Sequence, residues 1–168
     1  MTKNFTIEEF LHSATAYKLH ISNNPDLEQM ASLQELAIHL LQPLRDRYGK
    51  PITITSGFRS ATLNAALGGA PNSQHTKGQA ADIIADGGRD NALLFKLIAE
   101  HLSFDQLIFE ERLRNIPTPD GQHTLARTTW VHVSYIHRGY NRHQMLLTSN
   151  ASGILRTQGI ASNWREVV

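Results

Sequence analysis

Three side chains in the second half of the chain could together bind one metal ion. His75 stands in the polar stretch SQHTKG, Asp82 lies within the strand-like AADII, and His132 lies within TWVHVSY. Two imidazoles and one carboxylate, with a fourth position left to water, form the kind of ligand set found in catalytic zinc sites. Such an ion lowers the pKa of its water and polarises a carbonyl oxygen, which is the chemistry of hydrolysis.

Each of these side chains also has a simpler explanation when it is considered singly. His75 could be an exposed loop residue, and His132 could be a hydrogen-bonded structural histidine. Asp82 could form a salt bridge or cap loop amides, although a carboxylate among apolar strand residues is costly unless it is paired or binds a metal. The three residues together favour the metal site over the separate explanations.

Hydrolysis also needs a base for the water and a group that holds the substrate. The acidic candidates near the strands are Asp105, Glu110 and Glu111, and Glu110 ends FDQLIFE, where a strand end can face a cleft. Arg59 in SGFRS can hold a substrate carboxylate with two parallel hydrogen bonds. Without the metal site, Glu110 would be an exposed strand-end acid and Arg59 a surface arginine or part of an ion pair.

Short strands must position these residues. Alternation along TWVHVSY puts His132 on one face of its strand, and Val131 and Val133 on the opposite face, which suits a core. In AADII the same alternation separates Asp82 from Ala81 and Ile83. His132 is therefore predicted on the face opposite the core, and Asp82 has the same geometry, on a face that it shares with Ala80 and Ile84.

The remaining pattern predicts helices first and then short strands separated by one helix. This order favours an α+β fold with a small, mainly antiparallel sheet flanked by helices. Residues Glu111 to Thr129 are predicted as a long loop or a hairpin excursion, and the tail after Tyr140 has no clear pattern. The predicted elements are a helix begun by the capping box Thr6 to Glu9, a leucine-striped helix from Asn24 to Gly49, a strand from Pro51 to Ser56, a helix from Ser60 to Leu67, the Ala80 to Ile84 strand, a helix from Asp90 to His101, and strands Phe104 to Glu110 and Thr129 to Tyr135.

Composition limits the class of protein. The 168 residues suit a single domain, and 40% hydrophobic with 18% charged residues indicate a soluble globular chain. A net charge of +1 with scattered basic residues gives no support for nucleic-acid binding. The absence of cysteine excludes disulfides, thiolate zinc sites and a cysteine nucleophile.

The motifs SGFRS, NAALGG, SQHTKGQAAD, FDQLIFE and WVHVSY resemble the zinc D-alanyl-D-alanine carboxypeptidases and phage endolysin peptidases. That family shares its metal site with lysostaphin and hedgehog-type domains. The resemblance is closest to the short, single-domain bacterial and prophage branch. It covers about residues 5–135, so residues 1–168 are predicted to be one peptidase domain in which 140–168 form a C-terminal extension.

The resemblance implies a role for each matching residue. His75, Asp82 and His132 match the ligands of a zinc ion. Arg59 matches the arginine that anchors a substrate carboxylate, and Ser73 matches a serine at the substrate-binding edge.

The catalytic base departs from the pattern of many relatives, which carry it as E-x-x-H. That position is Thr129 here. Other relatives place a glutamate at the end of the preceding strand, and Glu110 matches it, although the eighteen residues from Glu111 to Thr128 intervene. Two antiparallel strands can still bring Glu110 to the metal. Glu111 is the reserve, on the opposite face if the strand continues.

The resemblance therefore implies a zinc metallopeptidase that hydrolyses a peptide bond of peptidoglycan, either a D-Ala-D-Ala carboxypeptidase or a murein endopeptidase of the endolysin type. Its partner would be the peptidoglycan stem peptide, with no nucleic acid. Alternatives are a non-catalytic zinc-binding module that recognises cell-wall peptides or a protein partner, and a structural phage protein. The N-terminus lacks the apolar region of a signal peptide and no segment is as long as a membrane span. We therefore expect a protein that is cytoplasmic as made and acts on the cell wall after release or export. The sequence does not indicate an oligomeric state.

Overall fold

The computed structural model describes residues 1–137, 139–151, 156–160 and 164–168. Within these ranges the chain combines one mixed sheet with short helices. The helices are α1 (Ile7–Leu11), α2 (Ala14–Lys18), α3 (Leu27–Leu36), α4 (Gln42–Tyr48), α5 (Ala61–Ala66), α6 (Asn91–His101) and α7 (Trp164–Val167). The strands are β1 (Ile52–Ser56), β2 (Ala80–Ala85), β3 (Gln106–Pro117), β4 (His123–Ser134), β5 (Gln144–Ser149) and β6 (Arg156–Gly159).

The strands lie in the order β1-β2-β4-β3-β5-β6 within the described residues. Each neighbouring pair is antiparallel except β3 and β5, which are parallel. The predicted α+β class with a mainly antiparallel sheet is therefore confirmed. β2 and β4, the strands that carry Asp82 and His132, lie inside the sheet and are hydrogen-bonded on both sides.

The leucine-striped segment forms α3, a π-helical turn and α4 in direct succession. Asp26 caps α3 by accepting a hydrogen bond from the backbone N–H of Gln29, so the helix begins later than Asn24. The π-helical turn Ala37–Leu41 stands just before Pro43. Proline has no backbone N–H and its ring clashes with a regular preceding turn, so a widened turn accommodates it here. The fully buried leucines of this segment are Leu33, Leu36, Leu40, Leu41 and Leu44.

The faces predicted for the strands that carry Asp82 and His132 are confirmed. Val131 and Val133 of β4 are fully buried in the core cluster, which also holds residues of α3, α4 and α6. Ala81 and Ile83 of β2 belong to the same cluster. The helices therefore cover one face of the sheet, and the residues between these positions point to the other face, which we call the site face.

The segment predicted as a long loop or a hairpin excursion is a hairpin. β3 and β4 pair without interruption from Leu107 opposite Val133 to Pro117 opposite His123. Both strands are therefore longer than predicted. The polar residues that suggested a loop lie on the two exposed faces of this hairpin. We call residues 111–128 the hairpin arm.

No helix within the described ranges is long and apolar enough to cross a membrane.

Candidate metal centre and substrate cleft

His75 is presented by a one-turn 3₁₀ helix, Gln74–Lys77, that packs over the sheet. Its imidazole Nδ1 lies 2.7 Å from the carbonyl oxygen of Gly57. Because a carbonyl only accepts hydrogen bonds, Nδ1 carries the proton and the lone pair of the neutral ring is on Nε2. The contact with Gly57 therefore fixes both the tautomer and the orientation of the ring, as partners of metal-binding histidines commonly do.

A glycine ends the turn that carries His75. Gly78 has a φ of +70°, and a Cβ at this position would lie 2.4 Å from the backbone oxygen of Gln29 in α3. The side chain of Gln29 also donates to the backbone oxygen of Thr76, at 3.2 Å. The turn can therefore lie against α3 only because residue 78 has no side chain.

Asp82 and His132 are directly opposite each other in the register of β2 and β4. Opposed residues of an antiparallel pair project from the same face, and their side chains meet. These two neighbouring strands thus bring a carboxylate and an imidazole together at the point where His75 reaches the sheet.

The three candidate ligand atoms form a nearly equilateral triangle. His132 Nδ1 lies 3.0 Å from Asp82 Oδ1 and 3.2 Å from His75 Nε2. His75 Nε2 lies 3.3 Å from Asp82 Oδ1. A tetrahedral ion with nitrogen and oxygen ligands at ~2.0–2.1 Å separates its ligand atoms by about 3.3 Å. The triangle therefore has the dimensions that three ligands of a zinc-sized ion require, and all three residues are buried.

The same cluster keeps Asp82 ionised. Burial works to raise the pKa of its carboxyl group. When no ion is bound and the histidines are protonated, the charge of His75 and the hydrogen bonds from His132 and His75 outweigh burial. The pKa of Asp82 consequently lies well below its usual range. An ionised carboxylate beside two imidazole nitrogens is a donor set suited to a divalent cation.

Arg59 contacts the candidate ligand Asp82. Its Nη2 donates to Asp82 Oδ2 at 2.7 Å, and its Nε donates to Ser56 Oγ at 2.9 Å. Asp82 Oδ1 faces the two histidines, so the guanidinium occupies the carboxylate oxygen that points away from them. The predicted anchoring of a substrate carboxylate by Arg59 stays a prediction, with two of the arginine's donors engaged by the protein.

Glu110 lies on the site face, opposite Trp130 in the register of β3 and β4. Burial, followed by the negative charge of Asp82, raises the pKa of the Glu110 carboxyl group. Arg112 donates to Glu110 Oε2 at 3.1 Å, and its guanidinium lies 5.0 Å from the centre of the Trp130 ring. The hairpin thus brings Glu110 beside the candidate metal centre despite the intervening arm.

Glu111 and Thr129 lie opposite each other on the other face of the hairpin. Glu111 accepts hydrogen bonds from Arg127 Nε and Ser149 Oγ, which lower the pKa of its carboxyl group. The Thr129 hydroxyl accepts from Asn91 at 3.1 Å. The position that carries glutamate in E-x-x-H relatives therefore faces away from the candidate ligands.

An open cleft of about 560 Å³ lies over the candidate metal centre. His75, Asp82, His132, Glu110, Arg59 and Ser73 all line it. The Ser73 hydroxyl accepts a hydrogen bond from the His75 N–H, at 3.4 Å, and so joins the cleft edge to the turn that presents His75. A second cleft of about 530 Å³ shares Trp130 with the first but touches none of the three candidate ligands.

The sequence interpretation missed Arg142, which also lines the larger cleft. It donates to the buried carboxylate of Asp105, which additionally accepts from Gln74 in the turn that carries His75. Asp105 was a candidate base, but its carboxylate is fully occupied by these structural bonds. Arg142 lies in the tail that gave no pattern, and only the contact across 37 residues reveals its position.

Comparison with known proteins agrees with this geometry. The family model of Peptidase M15 matches residues 3–134, most of the chain. The chain belongs to the Peptidase M15 family. This confirms the family resemblance, and the matched span contains every side chain predicted for the site. The M15 match ends at the last residue of β4, before the segment that carries Arg142.

One relative has a closely similar segment. Over 44 residues the chain is 54% identical to the zinc D-Ala-D-Ala carboxypeptidase of Streptomyces albus G. The matching segment is 26% of this chain and 17% of the relative's length.

Proposed function

We propose that this member of the M15 family is a zinc-dependent metallopeptidase that hydrolyses a peptide bond of peptidoglycan. The observation that carries the proposal is the triangle of His75 Nε2, Asp82 Oδ1 and His132 Nδ1, with sides of 3.0–3.3 Å. The family match and the name of the Streptomyces relative support both the metal and the substrate class. The peptidoglycan stem peptide is the proposed partner, met in the cell wall after release or export.

His75, Asp82 and His132 would hold the zinc ion. When bound, zinc supplies Lewis-acid chemistry, which activates water and polarises the carbonyl of the scissile bond. The protein keeps the three donors in place before any ion arrives. Gly57 orients His75, Arg59 holds the outer oxygen of Asp82, and the β2–β4 register sets His132 against Asp82.

Glu110 is the proposed general base. Its Oε2 is held by Arg112, whereas Oε1 has no hydrogen-bond partner among the described residues and is available to take a proton from water. Its raised pKa makes it a stronger base than an exposed glutamate. The proton that Glu110 accepts can then pass to the amine nitrogen of the leaving group.

Replacing Glu110 tests the base assignment. Glu110→Gln keeps the shape of the side chain but cannot accept the proton, so we expect hydrolysis of purified stem peptides to fall by about 10²- to 10⁴-fold. Zinc content per chain, measured by elemental analysis, should be unchanged. Glu111→Gln is the matched control, because Glu111 faces the opposite side of the hairpin, and it should retain near wild-type turnover. Full hydrolysis by a zinc-loaded Glu110→Gln protein would contradict the assignment.

The cleaved bond is proposed to be D-Ala-D-Ala, as the name of the Streptomyces relative suggests. Mass spectrometry of fragments released from defined stem peptides, with chiral analysis of any free alanine, decides between this bond, which releases D-alanine, and an internal bond, which releases L-alanine or two peptides.

A second candidate function is a zinc-binding module that recognises cell-wall peptides without cutting them. Its motive is the sequence pattern: Thr129 stands where many relatives carry the catalytic glutamate, although in this fold that position faces away from the candidate ligands. It predicts stoichiometric zinc and peptide binding with no released fragments.

A further inference from the structure

We propose that Arg142 is a specificity residue that binds a carboxylate of the peptide substrate, so that the cleft selects acidic peptides over their amidated forms. The inference rests on the proposed function, since it names the class of peptide which that same site accepts. Arg142 lies in the segment between β4 and β5, outside the residues that match the family.

Arg142 is an accessible cation in the wall of the cleft. Three arginines among the described residues line this cleft, and their side chains are 17% (Arg59), 22% (Arg112) and 54% (Arg142) exposed. Arg59 donates to Asp82 and Ser56, and Arg112 donates to Glu110. Arg142 therefore offers the most open guanidinium to an incoming anion.

The guanidinium of Arg142 is held in place before substrate binds. Its Nε donates to Asp105 Oδ1 at 2.9 Å and its Nη2 donates to Asp105 Oδ2 at 2.6 Å. The backbone N–H of Arg142 also donates to Asp105 Oδ1, at 3.0 Å. Asp105 is fully buried, so this edge of the guanidinium is fixed by a rigid partner. The Arg142 side chain therefore loses little conformational entropy when a ligand binds, which favours affinity.

The opposite edge of the guanidinium is available. No described residue accepts a hydrogen bond from Arg142 Nη1, which carries two N–H donors. A planar guanidinium with one edge engaged can still offer parallel donors to a carboxylate, a geometry in which arginine exceeds lysine. The Asp105 ion pair accounts for the inner edge of Arg142, and a substrate carboxylate would use the outer edge.

The neighbours of Arg142 place this cation close to the reacting groups. Gln74, which precedes His75, donates to Asp105 Oδ2 at 2.9 Å. Arg142 is thus joined through Asp105 to the turn that delivers His75. A carboxylate bound by Arg142 would fix the peptide relative to the metal centre.

The test is a thermodynamic cycle in which Arg142 is replaced in the protein and a carboxylate is amidated in the peptide. The probe is the stem pentapeptide L-Ala-γ-D-Glu-L-Lys-D-Ala-D-Ala, which has two carboxylates, together with two versions in which one carboxylate is amidated. Binding is measured by calorimetry to zinc-loaded protein carrying Glu110→Gln, which prevents turnover. In this background we expect one amidation to weaken binding by about 10- to 100-fold, the range of a charged hydrogen-bonded contact. When Arg142→Gln is added, the same amidation should have almost no effect, and Arg142→Lys should restore part of it.

Loss of Arg142 leaves the buried Asp105 carboxylate without its main partner, which could unfold the protein. The double change Arg142→Gln with Asp105→Asn removes that charge and supplies a folded comparison, verified by thermal unfolding and zinc content. A purely structural role predicts that removal of Arg142 weakens the acidic and amidated peptides equally, and this result would overturn the inference.

Failure of the inference and failure of the proposed function give different results. If wild-type protein cleaves stem peptides but amidation acts independently of Arg142, the inference is wrong and the function stands. If the peptides bind with Arg142-dependent discrimination but are never cleaved, the peptidase proposal is wrong and the carboxylate site stands. Absence of both binding and cleavage would overturn the two together.

Discussion

Arg112 makes three contacts that together determine where Glu110 points. It donates to Glu110 Oε2 and to the backbone oxygen of Glu111, and its guanidinium lies over the Trp130 ring. Glu110 and Arg112 are two residues apart on the same strand, so they project from the same face of the hairpin. The arginine thus acts on the proposed base and is a positioning residue rather than a group that reacts.

Replacement of Arg112 should therefore affect turnover more than substrate binding. We expect Arg112→Gln to lower kcat by about 10-fold with little change in KM, because a misplaced base loses part of its catalytic contribution. Steady-state kinetics on a defined stem peptide measure the two constants separately, and Arg112→Lys should recover part of kcat.

Arg114→Gln is the control for this experiment, because Arg114 is an exposed arginine on the same face of the same strand. An equal loss in the Arg114 and Arg112 variants would show that general positive charge on the hairpin arm, rather than contact with Glu110, is responsible.

Much of the residue-scale pattern was available from the sequence. Alternation in AADII and TWVHVSY placed Asp82 and His132 opposite the core, and the structure brings both together with His75. The sequence allowed a salt bridge for Asp82 and an ion pair for Arg59. It did not predict that the two residues pair with each other, because no strand pattern specifies the distance between their side chains.

At the scale of elements, the turn Gln74–Lys77 shows how a short loop is held in place. Two interactions join it to α3: the hydrogen bond from Gln29 to the Thr76 oxygen, and the close approach of the α3 backbone to Gly78. The candidate metal ligand His75 and the two residues that hold its turn against α3, Thr76 and Gly78, are therefore at most three positions apart along the chain.

A side chain at Gly78 should disturb this support. We expect Gly78→Ala to lower the free energy of unfolding by about 2–4 kcal/mol and to weaken zinc binding, since the added methyl meets the backbone of α3 and the left-handed φ is also unfavourable. Chemical denaturation and a competitive zinc titration measure the two effects.

Gly68→Ala separates strain from steric overlap. Gly68 has a similar φ of +68°, but a Cβ there would meet no atom within 4 Å. Its cost should be only about 1–2 kcal/mol, from backbone strain. Equal stability of the two variants would show that steric overlap between residue 78 and α3 does not contribute to the loss.

The element pattern was readable where hydrophobic periodicity was strong and failed where it was weak. The leucine stripe predicted the continuous helical segment of α3, the π-helical turn and α4, and the valine alternation predicted the C-terminal part of β4. For the hairpin arm the sequence allows two alternatives, a loop or a hairpin, because both of its faces are largely polar. β5 and β6 were missed because strands in this tail are recognisable mainly by their pairing with distant residues.

At the scale of the whole molecule, the C-terminal segment completes the sheet. β5 lies parallel to β3, and Ile160 after β6 is buried in the main core cluster. The same segment delivers Arg142 to the cleft. The part of the chain beyond the family match therefore contributes both to the core and to the wall of the proposed active site.

Metal removal should destabilise the whole domain. A ligand that binds only the folded state at 100 times its Kd adds about 2.7 kcal/mol to the free energy of unfolding. We expect chelator to lower the Tm of zinc-loaded protein and added zinc to restore it, as followed by calorimetry.

Asp82→Asn should remove most of this zinc-dependent increase, because the variant lacks the anionic ligand. A wild-type Tm that is the same with zinc and with chelator would count against a metal site in the folded protein.

The direct opposition of Asp82 and His132 also bears on how the sheet is aligned. The two residues are 50 positions apart in the chain, so β2 and β4 must find each other by a long-range encounter. A slip of one residue turns one of the two side chains to the core face, and a slip of two separates them by about 7 Å along the strands. An ion bound by both side chains would therefore stabilise one register over its neighbours, so the two proposed zinc ligands would also favour correct strand alignment during folding.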